Sequence, residues 1–154
     1  MDPIHDTMQR WNQHLKGELV GGFDAILHQD CVFWSPVLFK PQIGRDLTAM
    51  YLSAAGMVLP GDTADQNETA SPTTGTNGSF RYTKRVLDGH TAVLEFETTI
   101  DDVHVNGVDI ITCDDNSMIT EFKVMMRPHR ALDAVRQQMA ATLEKMSTAS
   151  PNEP

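Results

Sequence analysis

The alternation of apolar and polar positions is clearest between Thr91 and Pro128. Three runs there are rich in β-branched and aromatic residues, and they read TAVLEFETTI, VHVNGVDIITC and MITEFKVMMRP. The segments between them, Asp101-Asp102 and DDNS from Asp114, have the composition of turns. The pattern predicts three consecutive antiparallel strands, a β-meander.

One face of this predicted meander is apolar except for a single acid, Asp109. Because side chains alternate between the two faces of a strand, the residues that share this face are Leu94, Phe96, Thr98, Ile100, Gly107, Asp109, Ile111, Cys113, Phe122, Val124 and Met126. Loss of hydration would raise the pKa of Asp109 and favour its neutral form, which can donate a hydrogen bond or exchange a proton. A purely structural Asp109, satisfied by Tyr51, Trp11 or a backbone amide, is the alternative.

Helical periodicity precedes the meander. Asp6 and Gln9 have the spacing of a capping box, and Met8, Trp11 and Leu15 follow at helical spacing, which predicts a first helix from about residue 7. The other predicted elements are a short helix from Phe23 that stops before Asp30, a strand from Cys31 to Pro36, a helix from Gly44 to before Pro60, a strand from Phe80 to Leu87 and a helix after Pro128.

The order of these elements predicts an α+β fold with helices on one face of a curved sheet. A length of 154 residues is that of one domain, which we place at residues 5–146. Residues 60–79 are rich in Gly, Asp, Thr, Asn and Ser and predict a mobile loop. Residues 147–154 predict a disordered tail.

The charge of the chain restricts its partners. Twelve Lys and Arg against twenty-one Asp and Glu give a net charge of −9, so we expect neither nucleic acid nor a membrane as a partner. The two cysteines have no redox or zinc spacing, and the six histidines are scattered, so we expect no metal and no cofactor. No export signal or bilayer-spanning run is present, which predicts a cytoplasmic location.

Several short segments, in this order, carry a resemblance to a known superfamily. Trp11, LHQDCVFWSPV, GRD, LEFETTI, NGVDIITCDDNSMITEF and VMMRP resemble the nuclear transport factor 2-like superfamily, specifically its SnoaL-like (polyketide-cyclase-like) members. The resemblance covers about residues 5 to 130. It implies a cone-shaped fold in which a strongly bent, mostly antiparallel sheet wraps over N-terminal helices and encloses an apolar cavity. It also implies a homodimer formed through the outer sheet face.

Ketosteroid isomerases of that superfamily allow a comparison residue by residue. The resemblance places Asp109 at their oxyanion-hole aspartate. Trp11 stands where they have an oxyanion-hole tyrosine, and Ser35, before Pro36, stands where they have the general-base aspartate. Since two of the three groups differ, we do not expect steroid isomerisation by that mechanism.

We therefore expect the cavity to bind a small, largely apolar molecule. Its predicted lining is Trp11, Phe33, Ser35, Tyr51, Leu94, Phe96, Asp109, Phe122, Val124 and Met126. Any catalysis would be cofactor-independent acid–base chemistry of the isomerase, cyclase or hydratase type, with Asp109, Trp11, His14 and Ser35 as candidate residues. The alternatives are core packing for Trp11, a surface position for His14 and a polar lining role for Ser35.

A non-catalytic dimeric interaction module is the competing hypothesis, and the sequence feature that favours it is the missing base at Ser35. The dimer itself is a separate prediction from the outer face of the meander. Val93, Val108 and Ile110 alternate outward on the opposite face of the meander, where exposure to water would be unfavourable. We expect such a face to be covered in a two-fold pair of chains.

Overall fold

A computed structural model describes residues 1–59 and 80–148 of the chain. Its elements, in chain order, are α1 (Pro3–Leu15), a 3₁₀ helix (Gly22–Ala25), β1 (Leu27–Trp34), β2 (Gln42–Ile43), α2 (Arg45–Val58), β3 (Arg81–Asp88), β4 (Thr91–Ile100), β5 (Val103–Cys113), β6 (Ile119–Arg127) and α3 (His129–Thr148). The predicted α+β class is confirmed. The predicted loop at residues 60–79 lies outside the described residues.

The six strands form one mixed sheet in the order β2-β1-β6-β5-β4-β3. The β3–β4, β4–β5, β5–β6 and β1–β2 pairs are antiparallel, and β1 runs parallel to β6. The predicted meander is therefore confirmed as β4, β5 and β6. Register shifts interrupt the β1–β6, β3–β4 and β5–β6 pairings, and such irregularities bend a sheet.

The hairpin between β4 and β5 sets which residues share a face. Asp101 and Asp102 both have positive φ, as a two-residue type I′ turn requires. The resulting register places Phe96 opposite Gly107 and Leu94 opposite Asp109. Along β4, buried and half-buried residues alternate, so the inner face of the sheet is the apolar face predicted from the sequence.

The helices pack against that inner face. Helix α1 contacts β3, β4 and β5, while α2 contacts β1, β2 and α3, and α3 also contacts β4, β5 and β6. The core between the layers contains Met8 and Trp11 from α1, Leu52 from α2 and Val135 from α3. The space between these helices and the bent sheet is where a cavity can form.

Helix α1 begins earlier than predicted. It starts at Pro3, whose fixed φ suits the first helical turn, and the Asp6–Gln9 capping box is wrong. Asp2, the residue before the helix, accepts a hydrogen bond of 2.8 Å from the Gly89 backbone N–H through its side chain. The β3–β4 turn thus holds the helix start in place, which a local motif could not reveal.

The predicted second helix is also wrong beyond Ala25. Residues from Leu27 onward form β1, which begins its pairing with β6 at Leu27 and Ile119. The Ile119 backbone N–H donates to the carbonyl of Ile26 at 2.8 Å. Pairing with a distant strand therefore overrides the local helical spacing of the apolar residues.

At the other end of the chain, α3 extends to Thr148. Residues 147 and 148 of the predicted tail are therefore helical, and the rest of that tail lies outside the described residues.

Candidate ligand site

The inner face of the sheet and the three helices enclose a cavity of about 710 Å³. Its wall is mainly aromatic and aliphatic, and it receives side chains from α1, β1, α2, β3, β4, β5, β6 and α3. The structure places nine of the ten predicted lining residues on the wall: Trp11, Phe33, Ser35, Tyr51, Phe96, Asp109, Phe122, Val124 and Met126. The tenth, Leu94, is buried in the core, 1% exposed, and does not line the cavity.

Aromatic pairs form much of the wall. The rings of Phe33 and Tyr51 stack with centroids 5.6 Å apart, and the Trp11 ring lies 5.2 Å from that of Phe122. Such packing helps to hold each ring in a fixed orientation. Trp11 and Phe122 therefore belong to the wall, and they leave the cavity volume open.

A chain of two hydrogen bonds crosses the bottom of the cavity. The Trp11 indole Nε1–H donates to the Tyr82 hydroxyl at 3.2 Å, and that hydroxyl donates to Oδ2 of Asp109 at 2.7 Å. Because the Tyr82 oxygen accepts from the indole, its own proton is directed toward Asp109. The sequence-based expectation that Tyr51 or Trp11 would satisfy Asp109 is wrong: the direct partner is Tyr82, and Tyr51 stacks on Phe33 instead.

Burial sets the protonation of this pair. Desolvation raises the pKa of Asp109 to about 7, against a smaller opposing effect of the Tyr82 hydrogen bond, which favours the carboxylate. Burial, and then the nearby Asp109 charge, hold the pKa of Tyr82 well above its usual value. Tyr82 is therefore a neutral donor, and Asp109 exchanges its proton near neutral pH.

The second carboxyl oxygen of Asp109 remains open to the cavity. Within residues 1–59 and 80–148, no group donates a hydrogen bond to Oδ1. This oxygen is also not fully buried. Asp109 is 6% exposed and lines the cavity, so that exposure lies on the cavity side. One oxygen is thus fixed by Tyr82 and the other can meet a ligand.

Sequence reasoning missed Tyr82 because a register shift changes the face on which it lies. The Asp88-Gly89 turn pairs Asp88 with Thr91, and continuing that register would place Tyr82 opposite Glu97, whose alternation is outward. Instead the register shifts between Tyr82 and Lys84, and Tyr82 pairs with Phe96 on the inner face. A one-residue shift moves a side chain to the other face of a strand. The available signal was the alternation of two aromatic residues, Phe80 and Tyr82, at the start of FRYTKRVL.

His14 and Ser35 both lie on the cavity wall. The His14 ring packs between Trp11, 5.5 Å away, and Phe23, 4.2 Å away. Burial lowers the pKa of His14, so the ring is neutral at pH 7 and one of its nitrogens is a proton acceptor. Ser35 Oγ accepts a hydrogen bond of 3.1 Å from the Val37 backbone N–H, so it shapes the turn after β1.

Among the described residues, no group of three or more His, Cys, Asp or Glu side chains is arranged to hold a metal ion. In the same part of the chain, no helix is long and apolar enough to cross a bilayer.

The similarity of the chain to known proteins is visible in its structure. No protein-family profile matches the chain, and no curated protein sequence matches it significantly. A steroid delta-isomerase from Pseudomonas aeruginosa is similar with a TM-score of 0.78 and 26% identity, over 96% of each chain. A bacterial protein with a cystatin-like fold from Silicibacter pomeroyi DSS-3 has a TM-score of 0.71 and 29% identity, over 90% of this chain and 85% of that one.

More distant neighbours share the fold. A SnoaL-like family structure from Agrobacterium tumefaciens str. C58 has a TM-score of 0.52 and 12% identity, over 83% of this chain and all of that one. The chain therefore has the nuclear transport factor 2-like, cystatin-like α+β fold. Its structural neighbours are steroid delta-isomerase, SnoaL-like and polyketide-cyclase-like proteins, in agreement with the resemblance seen in the sequence.

Proposed function

We propose that the chain binds a small, largely apolar carbonyl compound in the cavity and acts on it by cofactor-independent acid–base chemistry. The reaction type is that of an isomerase, cyclase or hydratase. The observation that carries this proposal is the Trp11–Tyr82–Asp109 hydrogen-bond chain at the bottom of an apolar cavity of about 710 Å³. A cavity of this size, with few polar groups, is typical of small-molecule sites.

Asp109 is the acid in this proposal. Its protonated form donates from Oδ1 to the ligand carbonyl oxygen, while Tyr82 holds Oδ2 in place. That hydrogen bond polarises the carbonyl and stabilises negative charge that develops on its oxygen in an enolate-like transition state. A pKa of about 7 suits a proton donor at neutral pH. Ketosteroid isomerase provides the precedent for this role, because it keeps a carboxylic acid neutral in an apolar site and uses it as a hydrogen-bond donor.

His14 is the base in this proposal. Ser35 stands where the resemblance leads one to expect a carboxylate, and its hydroxyl is engaged by the Val37 backbone, so it is a poor proton acceptor. His14 lines the same cavity and is neutral at pH 7. The similarity to a steroid delta-isomerase supports an isomerase-type reaction.

A binding screen tests the proposal. Thermal shift is measured with enones, epoxides and hydroxylated aromatics on the wild type, on Asp109→Asn and on a matched surface variant, Asp115→Asn. Ligands that bind the folded state raise the melting temperature by mass action. We expect hits that stabilise the wild type and Asp115→Asn and lose most of that effect in Asp109→Asn.

Hydrogen exchange then tests the chemistry. NMR in D₂O follows deuterium incorporation next to the carbonyl of a bound enone. The wild type should accelerate it, and both Asp109→Asn and His14→Gln should slow it by about 100-fold or more, the usual scale of general acid–base catalysis. A cavity that binds nothing in an Asp109-dependent manner would contradict the proposal.

The second candidate function is a non-catalytic dimeric interaction module. The observation in its favour is the outer sheet face, where Val86 and Met125 are 51% and 50% exposed. Under this alternative Asp109→Asn would leave cellular activity intact. Changes on the outer face would abolish it, for example at Glu97, which pairs with Arg81 at 3.3 Å, or at Lys123, which lies 5.1 Å from the Trp34 ring.

A further inference from the structure

One acidic and one basic side chain lie on the cavity wall, and they differ in their exposure to solvent. Of the described lining residues, Asp109 is the one carboxylate and Arg136 the one Lys or Arg. Asp109 is 6% exposed, whereas the Arg136 side chain is 59% exposed. The acid therefore lies deep in the cavity, and the guanidinium lies at its solvent side.

Helix α3 presents Arg136 at the edge of its apolar stripe. Val135, Met139 and Leu143 recur four residues apart and line the cavity from this helix. Arg136 is adjacent to this stripe, and Ala140, one turn further on, also lines the cavity. Ala140 adds only a methyl group next to Arg136 on this face of the helix.

The existing partner of Arg136 holds it weakly. Asp133 Oδ1 lies 3.9 Å from an Arg136 terminal nitrogen, and the two side chains are 50% and 59% exposed. Asp133 also pairs with His129 at 3.4 Å. Exposed ion pairs at such distances contribute little to stability. The guanidinium can therefore turn toward an anion at the cavity entrance.

We propose that the ligand is an apolar oxo acid, with its carbonyl oxygen at Asp109 and its carboxylate at Arg136. This inference rests on the proposed function and specifies its substrate class. The net charge of −9 repels anions in general, so a carboxylate ligand needs a cation close to it. A guanidinium group can bind a carboxylate through two parallel hydrogen bonds. The apolar wall between the two groups fits the body of the molecule.

The test compares a matched pair of probes, naphthoylpentanoic acid and its methyl ester, which differ in the carboxylate charge. Isothermal titration calorimetry is run on the wild type, Arg136→Gln, Asp133→Asn and Arg130→Gln. Arg130 is exposed on the same helix and does not line the cavity, so it controls for the loss of one positive charge.

We expect the wild type to bind the acid about fivefold more tightly than the ester, as suits a partly exposed ion pair. Arg136→Gln should remove this preference without changing ester affinity, Arg130→Gln should keep it, and Asp133→Asn should increase it. Equal binding of acid and ester, or a preference that survives Arg136→Gln, overturns the oxo-acid inference. Ester binding that depends on Asp109 would still support the proposed function. If neither probe binds and the thermal-shift screen of uncharged compounds also finds no ligand, both the oxo-acid inference and the proposed function are overturned.

Discussion

The Tyr82 hydroxyl and Oδ2 of Asp109, 2.7 Å apart, join two strands that are not neighbours in the sheet. Tyr82 lies in β3 and Asp109 in β5, with β4 between them. The contact therefore depends on the register of both hairpins, and on the shift that turns Tyr82 inward. The hydrogen bond favours the carboxylate and so opposes part of the rise in the Asp109 pKa that burial causes.

Removing this hydrogen bond should raise the pKa of Asp109. Tyr82→Phe keeps the ring and deletes the donor that favours the carboxylate, so desolvation acts without opposition. Carbon-13 NMR of the aspartate carboxyl groups measures the change. Tyr51→Phe is the matched control, because Tyr51 stacks on Phe33 and is not bonded to Asp109, and it should leave the titration unchanged. An unchanged or lower pKa in Tyr82→Phe would contradict the assigned role.

Asp109 should also make stability depend on pH. Its folded pKa is about 7 and its ordinary value 3.8, so the folded chain retains a proton that the unfolded chain loses. The contribution of Asp109 to the free energy of unfolding is fully present below pH 3.8 and is lost as the pH rises toward 7. The change is on the order of 4 kcal/mol. Urea unfolding from pH 4 to 8 should show this decline relative to Asp109→Asn. Parallel profiles for the two proteins would contradict a raised pKa.

The elements that sequence analysis predicted well are those whose pattern is repeated over many residues. The alternation in β4, β5 and β6 identified the cavity face and placed Asp109 on it. In α2 and α3, apolar residues recur at helical spacing, and both helices were found where predicted. Here local pattern and tertiary packing favour the same structure.

What the sequence did not reveal depends on contacts between distant segments. The start of α1 depends on Asp2 and Gly89, and the start of β1 on Leu27 and Ile119. Tyr82 reaches the site only through a register shift in β3, for which no residue type is diagnostic. Site residues that belong to irregular pairing are therefore the hardest to identify from the pattern.

The outer sheet face predicts a two-fold pair of chains, which we propose as the assembly. Val108 lies between Glu95 and Met125 on this face. In Val108→Lys the new lysine can pair with Glu95, so a monomer should tolerate the substitution. An apolar interface between two chains should not tolerate it, because the substitution buries a charge there. Sedimentation at micromolar concentration should show twice 17.1 kDa for the wild type and 17.1 kDa for the variant. The control is Thr112→Lys, which changes an already polar position near the end of β5, beside Glu121. This variant should remain a dimer. A wild type that sediments as one chain would refute the pair.

A close contact at Gly107 shapes the cavity floor. Gly107 pairs with Phe96 in β4 and Met126 in β6, and a Cβ there would lie 2.5 Å from Phe96 Cζ and 2.6 Å from the Met125 carbonyl oxygen. Moving the Phe96 ring would relieve only the first of these contacts, so Gly107→Ala must also shift the backbone of β5 or β6. We expect a loss of unfolding free energy of about 1–3 kcal/mol in urea titrations.

Gly56→Ala is the matched control for this substitution. Gly56 lies in α2, and a Cβ there would meet no atom within 4 Å. Replacing a helical glycine by alanine should raise the free energy of unfolding by about 0.5–1 kcal/mol. Opposite signs at the two glycines would show that the Gly107 effect is steric. If Gly107→Ala is as stable as the wild type, Phe96 does not lie against Gly107, and the cavity floor has a different shape.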